Sequence, residues 1–279
     1  MKIAISAEST IDLPSNLLEK FDIHTTPFTI NLDEQVIPDE QGVSSKIYDF
    51  VEKTKTLPKT SAVNQVQFEE HFSSLLKSYD AVVHISLSSV ISSACQNAIA
   101  AAKNFDNVYI VDSKTLSTGI ALLAIRARKL ADNGLDAKTI ANKIQNLTPN
   151  VQAGFVLENL QYLYRGGRCS SLALFGANLL KIKPQIIVNS QGKMVLGKKF
   201  MGNFGVCVEK YANQILSDYK NPDLEYVFIT HSSPMDEIVQ KLTAKLKERG
   251  FKNIYDTFAG GTISSHCGPN CIGILFLNK

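Results

Sequence analysis

The chain lacks several features that mark large classes of protein. It contains no tryptophan, and 29 Lys and Arg against 26 Asp and Glu leave a formal net charge of +3. That charge is too small to predict nucleic-acid binding by itself. No window approaches ~20 apolar residues free of charge, so no membrane-spanning helix is predicted. The short apolar run at the N-terminus meets Glu8 too early for a signal peptide. The five cysteines are an odd number and mostly isolated, which favours a reducing cytoplasm over a disulfide framework.

Common catalytic and cofactor-binding motifs are also missing. The sequence has no G-x-S-x-G elbow, no H-E-x-x-H pair and neither of the glycine-rich phosphate-binding patterns. His266, Cys267 and Cys271 bring three soft ligands into one segment, but without a C-x₂-C pair they do not predict a zinc site. We therefore expect neither a metal nor a cofactor.

Length and composition predict a folded protein with one large domain or two ordinary ones. The 279 residues are 44% hydrophobic and 20% charged, which is enough to bury a sizeable core. Up to residue 150, apolar strand-like runs alternate with helical stretches, and this favours βαβ units with a parallel sheet. Beyond it, a hairpin signal around Gly192 favours a mixed sheet. The sequence thus predicts an α/β protein with an N-terminal α/β domain over 1–150, a C-terminal α+β domain over 151–279, and a ligand between them.

Some local predictions are more detailed. Ile23–Ile30 is predicted to be one strand, and a helix is expected from about Thr115 to Asp132. Gly260–Gly273 contains four glycines, a proline and a histidine, and it is predicted to be a loop of tight turns before a strand.

Hydroxyl-rich turns follow several of the predicted strands. Three lie at Ser6–Thr10, Leu87–Ser93 and Thr230–Pro234, and a fourth segment, Lys59–Val63, precedes a helix. Hydroxyls and free N–H groups at helix N-termini can form an anion site. In open α/β folds the ligand crevice lies beyond the carboxyl ends of the strands, where several of these turns would lie. The competing interpretation is that each Ser or Thr only caps its own helix.

Two cations flank a pair of glycines in Arg165-Gly166-Gly167-Arg168. As surface residues near a helix end, the arginines would interact favourably with the helix dipole. As functional residues, they could hold a phosphate or a carboxylate.

Several short motifs also occur along the chain in a fixed order. They are the N-terminal strand with its Ser turn, Lys59-Thr60-Ser61, Leu87-Ser88-Ser89-x-x-Ser92, Tyr109–Ser113, Leu160-x-x-Leu163-x-x-Gly166-Gly167-Arg168 and Ser265-His266-x-Gly268-Pro269. This ordered set resembles the DegV family of bacterial fatty-acid-binding proteins across essentially the whole chain. The resemblance implies two α/β domains and a long-chain fatty acid buried in an apolar tunnel, with its carboxylate held by the Thr-Ser and Ser-rich turns near the histidine loop.

The resemblance also implies roles for particular residues and a partner. The carboxylate-binding residues would be Thr60, Ser61, Ser92, Ser93 and His266. Some members are carrier subunits that present the fatty acid to a fatty acid kinase, which phosphorylates the carboxylate with ATP and so feeds phospholipid synthesis. On this basis we expect a cytoplasmic, non-enzymatic carrier that does not insert into membranes or bind nucleic acid. Arg165 and Arg168 are expected on the docking face for the kinase subunit.

The chain departs from the family pattern at four places. Ala7-Glu8-Ser9 replaces Thr-Asp-Ser, Ala62-Val63 replaces Gln-Pro, Ser92-Ser93-Ala94-Cys95 replaces Ser-Gly-Thr-Tyr, and Gly268-Pro269-Asn270 replaces Gly-Pro-Gly. The third of these removes a glycine and a hydroxyl beside the expected carboxylate site, while Ser92 is retained.

Other functions stay open on the sequence. A stand-alone enzyme acting on a small carboxylated or phosphorylated substrate in the same crevice, with His266 as acid or base, predicts a compact polar pocket. A carrier predicts an elongated apolar tunnel. Nucleic-acid binding has only the Arg165–Arg168 patch and the small net charge in its favour.

Overall fold

The computed structural model describes residues 1–169 and 182–279. The strands are β1 (Ile3–Glu8), β2 (Ile23–Thr26), β3 (Thr29–Leu32), β4 (Gln35–Pro38), β5 (Lys59–Ser61), β6 (Ala81–Ser86), β7 (Val108–Asp112), β8 (Val151–Leu157), β9 (Lys183–Val188), β10 (Met194–Phe200), β11 (Pro222–His231), β12 (Asn253–Phe258) and β13 (Cys271–Asn278). The helices are α1 (Ser15–Lys20), α2 (Val43–Thr54), α3 (Gln65–Leu76), α4 (Ala94–Ala102), α5 (Thr118–Asp132), α6 (Ala137–Leu147), α7 (Gln161–Arg165), α8 (Phe204–Asp218), α9 (Asp236–Arg249) and α10 (Gly261–Cys267). Short 3₁₀ turns lie at Ser9–Ile11 and Thr148–Asn150.

A parallel sheet organises the N-terminal half. Its strand order is β2-β1-β6-β7, and every residue of β1 and β6 is buried. Burial on both faces explains why these strands are continuous apolar runs rather than alternating ones. Helix α5 is buried over most of its length and contacts β1 and β6 on one side and β8 and β13 on the other. It therefore joins the two halves of the core.

The C-terminal half is built on a mixed sheet. Its order is β10-β9-β8-β13-β11-β12, in which only the β11–β12 pair is parallel. The predicted hairpin is present as β9 and β10, and Gly192 in its turn has a φ of +81°. The predicted fold class, with a parallel N-terminal sheet and a mixed C-terminal sheet, is confirmed. The division at residue 150 stays a prediction.

The prediction of a single strand over Ile23–Ile30 is wrong. The chain breaks at Pro27 and Phe28, and β2 joins the parallel sheet whereas β3 joins a small antiparallel sheet with the order β4-β3-β5. Proline has no N–H to continue a ladder, so the strand ends there. This small sheet positions Thr60 and Ser61, which lie on β5.

The prediction of a loop over the whole of Gly260–Gly273 is also wrong, because its first half is helix α10. The helix ends at Gly268, whose φ is +71°, and only the segment after it is irregular. The predicted helix start at Thr115 moves to Thr118, because Ser117 has a φ of +54° that a helix does not allow. Across the described part of the chain, every helix is too short or too polar to cross a membrane.

Candidate functional site

A cavity of about 480 Å³ lies between the parallel N-terminal sheet and the mixed C-terminal sheet. This volume is within the range of ligand pockets, ~300–1,000 Å³. Apolar side chains from both halves of the chain form much of its wall: Phe28, Leu87, Val90, Ile91, Leu116, Phe155, Leu163, Met194, Ile263 and Leu275. Polar side chains also line it, and most of them are hydroxyls: Thr60, Ser89, Ser92, Ser93, Gln96, Ser117, Arg168, Thr230, His231, Ser232, Thr262 and His266.

Thr60 and His266 form the most direct pair of functional groups in the wall. The Oγ1 atom of Thr60 lies 2.8 Å from Nε2 of His266, although the residues are 206 positions apart. Burial, with a smaller effect from the charge of Arg168, lowers the pKa of His266 to about 4. The ring is therefore neutral at pH 7, and its Nδ1 atom is buried and has no hydrogen-bond partner among residues 1–169 and 182–279. A neutral ring that bonds to a hydroxyl orients that hydroxyl rather than supplying a positive charge.

The predicted serines are placed differently from one another. Ser92 and Ser93 line the cavity just before helix α4. The hydroxyl oxygen of Ser92 accepts a hydrogen bond from the N–H of Ala94 at 3.2 Å, so its proton remains available to a ligand. Ser61 is exposed on β5 and lies outside the described cavity wall. It follows Thr60 on a strand, where successive side chains point to opposite faces.

The two predicted arginines also differ in their position relative to the cavity. Arg168 lines the cavity, is exposed, and donates from Nη1 to the carbonyl oxygen of Gly166 at 2.6 Å. Arg165 is exposed at the end of α7 and lies outside the described cavity wall. The structure thus brings Arg168, but not Arg165, to the cavity that holds Thr60, Ser92, Ser93 and His266.

Two carboxylates of the N-terminal half hold the first turn of α10, a feature that the sequence did not reveal. Asp39 accepts from the N–H groups of Gly261 at 2.7 Å and Thr262 at 3.1 Å, and Asp12 accepts from the N–H of Gly260 at 2.8 Å. Burial raises the pKa of Asp12 to about 8, against the hydrogen bonds from Ser117 and Gly260 that favour the charged form. Acidic caps at a helix start are a known stabilising pattern, but these lie more than 200 residues away in sequence.

Glu8 occupies one of the positions at which the chain departs from the family pattern. It contacts the start of the Leu87–Ser93 turn and lies outside the described cavity wall. Its carboxylate is fully buried and accepts hydrogen bonds from the Ser86 hydroxyl and from the N–H of Leu87 at 2.9 Å. His84 Nε2 lies 3.3 Å from the same carboxylate. Glu8 therefore fixes the end of β6, where the Leu87–Ser93 turn begins.

A metal centre has no structural basis in residues 1–169 and 182–279, where no group of three or more His, Cys, Asp or Glu side chains could hold an ion. Cys267 and Cys271 are both buried free thiols.

Comparison with known proteins identifies the family. A family model described as "Uncharacterised protein, DegV family" matches residues 2–279. The chain belongs to the DegV family. Protein DegV of Bacillus subtilis is 29% identical over 286 residues, covering all of both chains. A protein of Thermotoga maritima named "Fatty acid-binding protein" is 28% identical over 280 residues, covering 98% of this chain and 96% of that protein.

Solved structures of DegV proteins have the same fold. The structure of Bacillus subtilis DegV, described as a fatty acid binding protein, superposes with a TM-score of 0.87 at 26% identity, covering all of both chains. A DegV family protein of Thermus thermophilus, described by its fatty acid binding, reaches a TM-score of 0.91 at 23% identity over the full length of both chains, which shows the shared fold. DegV relatives with functional names are thus named for binding a fatty acid rather than for catalysis, as expected of a carrier.

Proposed function

We propose that this protein binds a long-chain fatty acid in the cavity between its two sheets. The observation that carries the proposal is one cavity that combines apolar walls with the Thr60–His266 hydrogen bond and the Ser92 and Ser93 hydroxyls. The names of the DegV relatives support it, since proteins of similar length from Bacillus subtilis and Thermotoga maritima are called fatty-acid-binding proteins.

The energetics suit a long acyl chain. Burying about sixteen carbons contributes roughly 12 kcal/mol at ~0.8 kcal/mol per CH₂, before the costs of association. Apolar side chains such as Phe155, Leu163 and Leu275 would contact the chain. Burial of the acyl chain would provide most of the affinity, and the polar groups of the cavity would fix the position of the carboxylate.

The carboxylate would be held by neutral donors. Ser92 and Ser93 each have a hydroxyl proton to donate, and Thr60 has one when the neutral His266 ring carries its proton on Nε2 and donates it to the Thr60 oxygen. Hydrogen bonds to a charged acceptor are stronger than neutral ones, so several hydroxyls can offset the desolvation of the carboxylate. Ser61 is exposed, so it serves as a matched control and not as a ligand group in this proposal.

The protein would act as a carrier for a second enzyme. We propose that it works in the cytoplasm and presents the carboxylate to a fatty acid kinase subunit for phosphorylation to the acyl phosphate. Arg165 and Arg168 would lie on the docking face, since both are exposed and Arg168 also reaches the cavity. A stand-alone acid or base role for His266 is less favourable, because a pKa of about 4 is far from the neutral pH at which such a group works best.

Two measurements test the binding proposal. Mass spectrometry of organic extracts of the purified protein should find a long-chain fatty acid at about one per chain. In binding assays, Thr60→Val should weaken fatty-acid affinity about 5- to 150-fold, the effect of leaving a buried anion short of one donor, whereas Ser61→Ala should bind as the wild type does. Repeated preparations with no acyl chain, together with no uptake of added fatty acid, would refute the proposal.

A further inference from the structure

A chain of hydrogen bonds leads from a half-buried histidine to the serine turn, the segment Leu87–Ser93. Nε2 of His71 lies 2.7 Å from the Ser6 hydroxyl, and Nδ1 of His84 lies 3.0 Å from the same hydroxyl. Nε2 of His84 lies 3.3 Å from the Glu8 carboxylate, which accepts from the first N–H of the serine turn at 2.9 Å. Both His84 and Glu8 are fully buried. The chain therefore ends at the turn that supplies serine hydroxyls to the cavity.

The contacts of Glu8 favour its charged form. Its carboxylate accepts from the Ser86 hydroxyl and from the N–H of Leu87, and hydrogen bonds to a carboxylate stabilise the ionised state. A buried charge is costly unless a counter-charge lies beside it. In residues 1–169 and 182–279, the side chain that can supply a positive charge in contact with Glu8 is that of His84.

The directions of the hydrogen bonds are those of a protonated His84. An ionised Glu8 can only accept, so Nε2 of His84 carries a proton. Burial, followed by the charges of His84 and His24, lowers the pKa of His71 to about 3. The His71 ring is therefore neutral at pH 7, and its Nε2 atom can accept from Ser6. The Ser6 oxygen then accepts from Nδ1 of His84, so both ring nitrogens of His84 donate and the ring is a cation.

The charge of Glu8 reaches the part of the cavity that would hold the ligand carboxylate. Burial raises the pKa of Cys95, the second residue of α4, to about 12, and the charges of Asp112 and Glu8 add to the rise. Asp112 has its own counter-charge, because Nζ of Lys114 lies 2.6 Å from its carboxylate. The serines that line the cavity directly precede α4. A Glu8 charge without compensation would therefore repel an anion bound there.

We propose that His84 is the counter-charge that allows the cavity to accept an ionised fatty acid, because its proton neutralises the buried Glu8 carboxylate behind the serine turn. The inference rests on the proposed fatty-acid binding. His84 lies outside the described cavity wall, so it does not touch the ligand. It is a positioning residue that acts through Glu8, by fixing the charge and the place of that carboxylate.

The test compares the affinities for hexadecanoic acid and hexadecan-1-ol on the full-length protein after removal of lipid. At pH 7 the acid is ionised and the alcohol is neutral. The ratio of the two affinities therefore reports the charge of the site, whereas a loss of shape lowers both affinities together. His84→Gln keeps a polar side chain but cannot carry the extra proton. In this variant the ratio of acid affinity to alcohol affinity should fall about five- to 30-fold, the effect of one charge roughly 8 to 16 Å away at an effective dielectric constant of about 20.

A second substitution separates charge from structure. Adding Glu8→Gln to His84→Gln should restore the wild-type ratio, because the pair then carries no net charge again. A purely structural role predicts the opposite, with the double variant binding more weakly than the single one. His71→Gln is the matched control, since it replaces a neutral histidine of the same hydrogen-bonded chain and should keep the wild-type ratio.

Two results would overturn the inference and leave the proposed function intact: an unchanged ratio in His84→Gln, or a lowered ratio that Glu8→Gln does not restore. If His84→Gln does not fold, the double variant should still fold, because no buried charge is then left unpaired, and a double variant that also fails to fold would overturn the inference as well. Failure of the wild type to bind hexadecanoic acid would instead refute the proposed function.

Discussion

A Cβ atom placed on Gly166 would lie 2.7 Å from Nδ1 of His266 and 3.0 Å from the carbonyl oxygen of Tyr162. The glycine beside Arg168 therefore has a packing role, because it lets the end of α7 approach the histidine ring of α10. Gly268 makes a second close approach, where a Cβ would meet the Tyr162 ring at 2.5 Å. The segment around Gly166 and the segment from His266 to Gly268 are far apart in sequence, but each packs closely against the other only because it contains a glycine.

We expect Gly166→Ala to weaken fatty-acid binding. A carbon and a ring nitrogen that are not bonded do not approach as closely as 2.7 Å, so His266 must shift and its hydrogen bond to Thr60 must lengthen or break. Loss of that bond is expected to lower affinity about two- to 12-fold. Calorimetric titration with hexadecanoic acid measures the effect.

The neighbouring glycine provides the control. Gly167 has a φ of +70°, and no atom of the described residues lies within 4 Å of an added Cβ, so Gly167→Asn, which tolerates that φ, should bind as the wild type does. Equal affinity of Gly166→Ala and Gly167→Asn would show that the close approach does not position His266.

Local sequence patterns predicted most of the fold, because its signals are short-range. Apolar runs identified the strands of both sheets, and Asp136, a residue type typical of helix starts, caps α6 by accepting from the N–H of Thr139 at 2.9 Å. Helix α10 was missed because glycine, serine and threonine have low helix propensity and the residues that stabilise its start, Asp12 and Asp39, come from a distant part of the chain. Ordered family motifs brought Thr60 and His266 into one site, although 206 positions separate them.

Removal of the Asp39 carboxylate should destabilise the protein more than removal of an exposed cap. Asp39→Ala leaves the N–H groups of Gly261 and Thr262 without their buried acceptor, so we expect a loss of about 1.5–3 kcal/mol in the free energy of unfolding. Asp136→Ala, at an exposed helix start, should cost about 1 kcal/mol. Denaturant unfolding of both variants measures the difference. A cost for Asp39→Ala no greater than that for Asp136→Ala would mean that water or another group replaces the carboxylate.

The stability of the ligand-free protein should rise with pH between about 4 and 6.5. Burial lowers the pKa of His266 to about 4 in the folded state, against 6.5 as its ordinary value. In this window the unfolded chain binds a proton at His266 that the folded protein does not, so the contribution of His266 to the free energy of unfolding increases with pH and is constant above 6.5. His266 contributes at most about 1.4 kcal/mol per pH unit. Burial also lowers the pKa of His71, to about 3, so His71 adds to the slope in the same direction. Burial raises the pKa of Asp12 to about 8, so Asp12 opposes the rise and makes the free energy of unfolding fall between pH 6.5 and 8.

Substitution of His266 isolates its share of that slope. His266→Gln should show a shallower rise in unfolding free energy between pH 4.5 and 6.5 than the wild type, whereas Ser61→Ala, which removes no titrating group, should keep the wild-type slope. Identical slopes for His266→Gln and the wild type would contradict a neutral, buried His266.

Arg168 is expected to act in docking rather than in folding. Its contact within the described chain is to the carbonyl oxygen of Gly166, two residues away, and its side chain is exposed at the cavity. Arg168→Ala should therefore leave the melting temperature and fatty-acid affinity near the wild-type values. It should slow phosphorylation of the bound acid by a fatty acid kinase subunit, and the effect should be larger at low salt, because a rim charge acts mainly through the association rate.

Arg128→Ala offers the contrast, since Arg128 is half-buried, donates to the carbonyl oxygen of Ile3 at 2.9 Å and pairs with Asp132. That variant should melt earlier and, at temperatures where it is folded, support phosphorylation normally. Early melting or loss of lipid in Arg168→Ala would instead assign this arginine to the scaffold, because a side chain that only contacts a partner has no reason to hold the fold together.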